Sequence, residues 1–324
     1  MTHNRRWPLA LSALLVVLLQ ACGGGSDAPG SAGTTGNPGT PTTSTPTSPA
    51  TPPGAPTLSG NTATDGYAWI NYRRAQLGLS VLARNSLVDA AASGHASYLR
   101  LNNTVTHEQT AGAPGFTGGK LTDRLVAAGY NLTGSWAAGE VISATSNSSG
   151  FYQAEELIAA IYHRFVIFEP IFKEIGTGAT TANGNYTYFV ADLTTVNGFG
   201  SGLGAGKIIG YPYDNQTGVS TNFFSDTESP DPVPNQNEVG YPISVHANSG
   251  RSATLTVQTF TVAPRGGATL NTRLLSNAND ASTPANVAAI VPLAPLRAAT
   301  LYDVSFQGTV HGVAVTRAWS FTTR

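Results

Sequence analysis

The chain is nearly devoid of sulfur, with one cysteine and one methionine in 324 residues. A single cysteine excludes an intramolecular disulfide framework and a cysteine-rich metal centre. Charge is also scarce, at 11% against about 25% in an ordinary soluble domain. Lys and Arg number 17 against 18 Asp and Glu, a formal charge of −1, so no basic footprint exists for a phosphate backbone and nucleic acid is not an expected partner. Long apolar runs are missing too: the uncharged stretch at residues 7–19 is too short to cross about 30 Å of hydrocarbon as a helix. There is no Gly-x-Ser-x-Gly elbow, His-Glu-x-x-His motif, phosphate loop or dinucleotide fingerprint, which removes the commonest local signatures of hydrolases, metallopeptidases and nucleotide enzymes.

Gly and Pro, by contrast, are plentiful at 36 and 20 residues, so polarity comes from Ser, Thr, Asn and the backbone, as in secreted chains. His3, Asn4, Arg5 and Arg6 form a basic start, and with residues 7–19 they read as a signal peptide. Leu19-Gln20-Ala21-Cys22 resembles a bacterial lipobox, which implies cleavage before Cys22 and its acylation. Residues 1–22 are therefore expected to be a lipoprotein signal, with Cys22 anchoring the protein to a membrane. Gly23, where Asp would resemble an inner-membrane retention signal, favours the outer membrane or cell surface. Residues 23–60 are almost entirely Gly, Ser, Thr, Pro and Ala, the exceptions being Asp27, Asn37 and Leu58. Such a composition cannot repay the entropy of ordering. It predicts a disordered linker with a root-mean-square reach of roughly 35 Å.

The texture then changes twice. Residues 61–200 carry helical periodicity: a helix capped by Asp65 and closed by Gly78, an Ala-rich helix over 86–101, a short one over 121–128 and one over 154–164. Residues 174–179 and 186–194 read as strands around Asn183-Gly184, a hairpin signal. The glycine-rich stretch 198–206 is the expected hinge. In residues 201–324 the period becomes that of strands, at 241–246, 253–262, 268–275 and the alternating Tyr302, Val304, Phe306, Val313, Val315, Trp319 and Phe321, with His311-Gly312 at a turn. The fold class is α+β, a mixed helix-and-sheet domain followed by an all-β sandwich, expected to fold as separate units. The closing Trp319-Ser-Phe-Thr-Thr323 after a Tyr-containing strand resembles immunoglobulin-like modules.

The first domain has a series of motifs in one order: Asn71-Tyr-Arg-Arg74, Thr106-His107, Leu121-Thr-Asp-Arg124, Gly139-Glu140-Val141, His163-Arg164 and Phe172-Lys-Glu-Ile-Gly-Thr-Gly178. Together they resemble the CAP superfamily, which groups cysteine-rich secretory, antigen 5 and pathogenesis-related proteins, in its compact bacterial form. The resemblance implies an α-β-α sandwich with a cleft lined by two histidines and acidic residues. His107 matches the first cleft histidine, Glu140 the glutamate of the Gly-Glu-Asn motif and His163 the second histidine. Val141 departs from the Asn of that motif, and Ala160-Ile161-Tyr162 from a Ser-Pro-Gly.

Two imidazoles can ligate Zn²⁺ or another divalent metal, with a carboxylate completing the site or orienting an imidazole. His107 and His163 are thus the expected metal ligands. Glu156, two helical turns before His163, is a candidate second cleft carboxylate; a solvated carboxylate at a helix start is its alternative. His95 reads as a packing residue, His246 and His311 as surface or turn residues, and Glu228, Asp231 and Glu238 as a solvated loop. Two functions follow. One is a tethered binding module whose cleft takes a lipid, sterol, peptide or metal. The alternative is a metal-dependent hydrolase using His107 and His163 as ligands and Glu140 as base or orienter.

Overall fold

The structure is a computed structural model that describes residues 22–24, 54–248 and 254–324. The expected signal peptide before Cys22, and linker residues 25–53, lie outside the described residues.

A short strand β1 (Cys22–Gly24) precedes helix α1 (Thr62–Gln76). Asn61, not Asp65, caps α1, accepting from the Thr64 N–H at 2.9 Å. Asp65 lies one turn inside the helix and is buried, taking the N–H groups of Ser59 and Gly60 and the Ser59 hydroxyl. It therefore pins the incoming chain to the helix rather than starting it. Strand β2 (Ala83–Arg84), helix α2 (Ser86–Asn102), helix α3 (Leu121–Ala127) and strand β3 (Ala137–Thr145) follow. The segment expected as one helix over 154–164 is two, α4 (Gly150–Ala159) and α5 (Ile161–Ile167). Ala160 breaks them with extended φ/ψ of −67° and 120°.

Strands β4 (Glu174–Thr181) and β5 (Thr187–Thr195) form the expected antiparallel hairpin, with Gly184 at φ 88°. The five strands form one sheet in the order β1-β3-β5-β4-β2. Helices α2 and α3 cover one face, and α1, α4 and α5 the other. Glycines set the first spacing: a methyl at Gly178 would lie 2.3 Å from the Ser93 nitrogen of α2. Thr177, between Gly176 and Gly178, points to the opposite face and donates to the Ala63 carbonyl of α1 at 2.8 Å, as strand alternation demands.

The rest of the chain is all β: β6 (Ile208–Tyr211), β7 (Gln216–Val219), β8 (Asn222–Phe224), a 3₁₀ turn (Ser225–Thr227), β9 (Glu238–Gly240), β10 (Ile243–Ala247), β11 (Leu255–Pro264), β12 (Thr272–Ser276), β13 (Val287–Pro292), β14 (Leu301–Val310) and β15 (Val313–Thr323). Two four-stranded sheets, β12-β13-β10-β6 and β11-β14-β15-β7, form a sandwich, and β8 pairs with β9 separately. Ile243, Val245, Phe260, Val262, Phe306 and Trp319 lie in its core. His311 and Gly312, both at positive φ, make the β14–β15 turn.

The glycine-rich stretch near 198–206 does not separate the packing of the two parts. Helix α5 is buried along its whole length, and Ile161, Tyr162 and Phe165 share one apolar cluster with Phe223, Val239, Leu275 and Val287 of the β region. Buried Arg164 donates to the Pro242 carbonyl at 2.7 Å and sits over the rings of Tyr211 and Tyr241. His246, expected at the surface, is fully buried. Phe165 and Phe168 meet its ring edge-on and Ser244 bonds its Nε2. Burial and the nearby guanidinium of Arg164 push its pKa down to about 3. Its surroundings come from α5, which no local motif around His246 reveals.

Candidate functional site

The four residues expected to share a cleft fall into two groups on opposite sides of the sheet. Alternation along β3 is the cause. Gly139 and Ser143 face α5 and α4: a methyl at Gly139 would lie 2.7 Å from Val166, and Ser143 Oγ donates to Glu156 at 3.4 Å. Glu140, between them in phase, points to α2.

On the α2 side, Glu140 is buried and both its oxygens are engaged. Oε1 lies 2.8 Å from His107 Nδ1, and Oε2 accepts from Arg124 Nη2 at 2.6 Å. Arg124 also donates to the His107 carbonyl at 2.9 Å, so one guanidinium ties the loop to the sheet. His95 lies alongside, its Nε2 donating to the Thr106 carbonyl at 2.8 Å while its Nδ1 accepts from Gln109 at 2.9 Å. Those two bonds fix a neutral imidazole, and burial brings its pKa down to about 4. It is a hydrogen-bonded packing residue.

Asp192 of β5, opposite Glu140, is fully buried. Burial and the Glu140 charge raise its pKa well above the usual carboxylate value. Glu140 moves the other way: burial opposes ionisation, but Arg124 and then the histidines outweigh it. Two acids sharing a site are driven apart in this way.

Arg124 already supplies the positive charge beside Glu140, so that carboxylate is engaged without a bound cation. Among the described residues, no group of three His, Cys, Asp or Glu side chains is placed to hold a metal. His107 and His163 are not assembled into one ligand set.

On the other side lies a cavity of about 300 Å³. Its walls include Ile142, Ser143, Glu156, Leu157 and His163 from the first domain, and Phe223, Phe224 and Arg324 from the β region. Neither His107 nor Glu140 contributes to it. Burial pushes the Glu156 carboxyl up, against the hydrogen bonds of Tyr152 and Ser143. His163 is buried, and its Nδ1 lies 3.2 Å from Glu228 Oε1. Glu228, expected in a solvated loop, is 2% exposed. Its carboxylate accepts the N–H groups of Ile161 at 2.8 Å, Tyr162 at 2.7 Å and His163 at 3.3 Å. It caps α5 from the second domain, in place of the side chain that Ala160 lacks.

Residues 67–193 match the model of the CAP family, described as the Cysteine-rich secretory protein family. That segment of the chain is similar to CAP domains. No curated protein matches it. Among solved structures, it is similar to an extracellular protein containing a SCP domain from Bacillus anthracis, at 23% identity over 41% of this chain and 39% of that one, with a TM-score of 0.35. An outer surface protein from Borrelia burgdorferi is 16% identical over 40% of this chain and 90% of that one, with a TM-score of 0.34. A cysteine-rich secretory protein from Staphylococcus aureus is 16% identical over 41% and 38%, with a TM-score of 0.32. The matched part of this chain thus spans well under half of the Bacillus and Staphylococcus proteins.

The sequence reading missed the residues that the CAP domain borrows. Phe223, Phe224, Glu228 and Arg324 carry no local motif. One signal was present: a helix opening at Ile161 with Ala160 at its cap position must take its cap from elsewhere. Arg124 stood within a family motif, but its pairing with Glu140 requires the fold.

Proposed function

We propose that the chain is a surface-located binding protein, anchored through Cys22, whose ligand enters the cavity between the CAP domain and the β-sandwich. The observation that carries this reading is the cavity's composition. Apolar walls from Leu157, Ala159, Phe223 and Phe224 surround a few polar groups, Glu156, His163 and Arg324, the usual make-up of a small-molecule site. Its size is at the lower end for such sites. A single-chain lipid with an anionic head suits it, the chain against Leu157 and the phenyl rings and the head towards Arg324. Binding is favoured over metal-dependent hydrolysis because His107 and His163 do not converge on one position.

Calorimetric titration with dodecanoate tests the reading. Saturable one-to-one binding is expected, and Leu157→Trp, which fills the cavity, abolishes it. Absence of saturation, or equal binding by the variant, refutes it. The anchor is tested separately: Cys22→Ser leaves the membrane fraction, and its retention there removes the anchoring claim.

A further inference from the structure

Two adjacent glutamates of α4 meet different surroundings. Glu155 turns towards α1, where its Oε1 accepts from Trp69 and Arg73, so a guanidinium balances its charge. Glu156, one position on, lines the cavity between the first domain and the β-sandwich. Its partners there are neutral: Ser143 Oγ donates to its Oε2 at 3.4 Å, and the Tyr152 hydroxyl also bonds the carboxyl. Among the described residues, no Lys, Arg or His forms an ion pair with it. A carboxylate drawn partly out of water is ordinarily paired with a cation; burial without one pushes the Glu156 carboxyl up.

We infer that Glu156 recognises a cationic ligand head, an alkylammonium carried on an apolar chain, so that the cavity reads charge at two separate places. Arg324 lines the same cavity, and its Nη2 donates to Ser220 Oγ at 3.3 Å rather than to Glu156. The negative and the positive group are therefore not paired with each other, and each keeps its charge for a ligand. An ammonium suits Glu156 because Ser143 and Tyr152 already give it neutral hydrogen bonds, which leaves the charge as the uncompensated quantity. A bond between ionised partners is roughly twice as strong as a neutral one. The head is carried on an alkyl chain because Leu157, Ala159, Phe223 and Phe224 make the apolar part of the wall. This inference deepens the binding reading and rests on the cavity being a ligand site, but not on the anionic head assigned to Arg324.

Calorimetric titration of the full chain with dodecylamine and, separately, with dodecanoate tests it in wild type, Glu156→Gln and Leu157→Trp. Glutamine keeps the shape and one accepting oxygen of Glu156 while removing its charge. Dodecylamine is expected to bind wild type one-to-one, to bind Glu156→Gln about tenfold more weakly, as for the loss of one charge-assisted bond, and to lose binding in Leu157→Trp. The ratio of dodecylamine to dodecanoate affinity should fall by the same factor in Glu156→Gln. Equal dodecylamine affinity in wild type and Glu156→Gln overturns the inference, as does unsaturable binding or binding that survives in Leu157→Trp. If dodecylamine binds through Glu156 and dodecanoate does not bind, the anionic-head reading falls and this inference stands. If dodecanoate alone binds, the inference falls and that reading stands.

Discussion

Replacing Glu228 with Ala should unfold the link between the two domains before anything else. The carboxylate is 2% exposed and receives two short N–H bonds, from Ile161 at 2.8 Å and Tyr162 at 2.7 Å, with His163 N and Nδ1 at 3.3 and 3.2 Å. Hydrogen bonds to a charged group contribute about 1.5–3 kcal/mol each. The two short ones alone therefore set a cost of roughly 3–6 kcal/mol, because the variant leaves buried N–H groups without an acceptor. Water entering from the adjacent cavity recovers part, so about 3–5 kcal/mol is expected. Glu228→Gln keeps one accepting oxygen and should lose about half as much. For chains of this size, 1 kcal/mol moves Tm by roughly 2–4 °C, so the Ala variant should melt at least about 6 °C lower. Glu238→Ala is the control: that residue is exposed and accepts a hydrogen bond from the Asn222 side chain. Surface changes of this kind usually stay within about 0.5 kcal/mol. Thermal unfolding followed by circular dichroism decides the matter. Equal melting of the Glu228 and Glu238 variants would refute the capping argument.

Three other outcomes follow from buried groups and close contacts. His246 has its pKa pushed down to about 3 from an ordinary 6.5, so its contribution to stability is present above pH 6.5 and lost as pH falls towards 3. The full difference is worth roughly 5 kcal/mol, and His246→Gln should flatten the acid limb of a plot of Tm against pH. Asp192 has a raised pKa in the folded state, so its contribution falls as pH rises above the unfolded value of 3.8. Glu140, held low, contributes above 4.5 and loses its contribution as pH falls. Asp192→Asn should therefore remove the decline that begins above pH 3.8, and a variant that keeps it would refute the shared-acid description. Gly178→Ala places a methyl 2.3 Å from the Ser93 nitrogen. Overpacking of this kind costs about 1–3 kcal/mol, measured by urea unfolding, whereas Gly204→Ala, whose methyl would meet only Lys207 Cγ at 3.9 Å but at positive φ, should cost less.

The sequence made the CAP layers legible because they depend on local periodicity. The Ala-rich stripe of α2, the Asn183-Gly184 turn and the strands around Gly176 and Gly178 are all short-range signals. The ordered motifs extended that reading to His107 and Glu140, which do meet. What stayed hidden depends on long-range placement. Glu140 and Ser143 differ by an odd number of positions on one strand, so they face opposite sides of the sheet; a one-dimensional motif order does not reveal that His107 and His163 are thereby divided. Charge was equally opaque. Glu228 lies in a Pro- and Asn-rich stretch that reads as solvated, yet it is buried because α5 brings three N–H groups to it. Asp65 met the composition of a cap but sits one turn inside, since Asn61 is nearer the helix start.

The same long-range placement predicts that the CAP domain depends on its partner. A fragment covering residues 54–205 would expose Ile161, Tyr162 and Phe165, which in the whole chain pack against Phe223, Val239, Leu275 and Val287. Fully burying an Ile or Phe side chain is worth about 1.5–3 kcal/mol. Ile161 and Phe165 therefore represent roughly 3–6 kcal/mol, apart from the Glu228 cap and the Arg164 bond to Pro242 that the fragment also loses. Total stabilities are about 5–15 kcal/mol, so the loss removes much of what a domain of this size has. Urea unfolding of the fragment should show a clearly lower midpoint than the CAP transition of the full chain, and hydrogen exchange in α5 should accelerate more than in α2. α2 packs on β4, with its Gly176 and Gly178, and on β5 and α3, all of which the fragment keeps. If the fragment unfolds at the same midpoint, with α5 as protected as α2, the two halves are independent units and the cavity between them is a joint of convenience rather than a site that the fold requires.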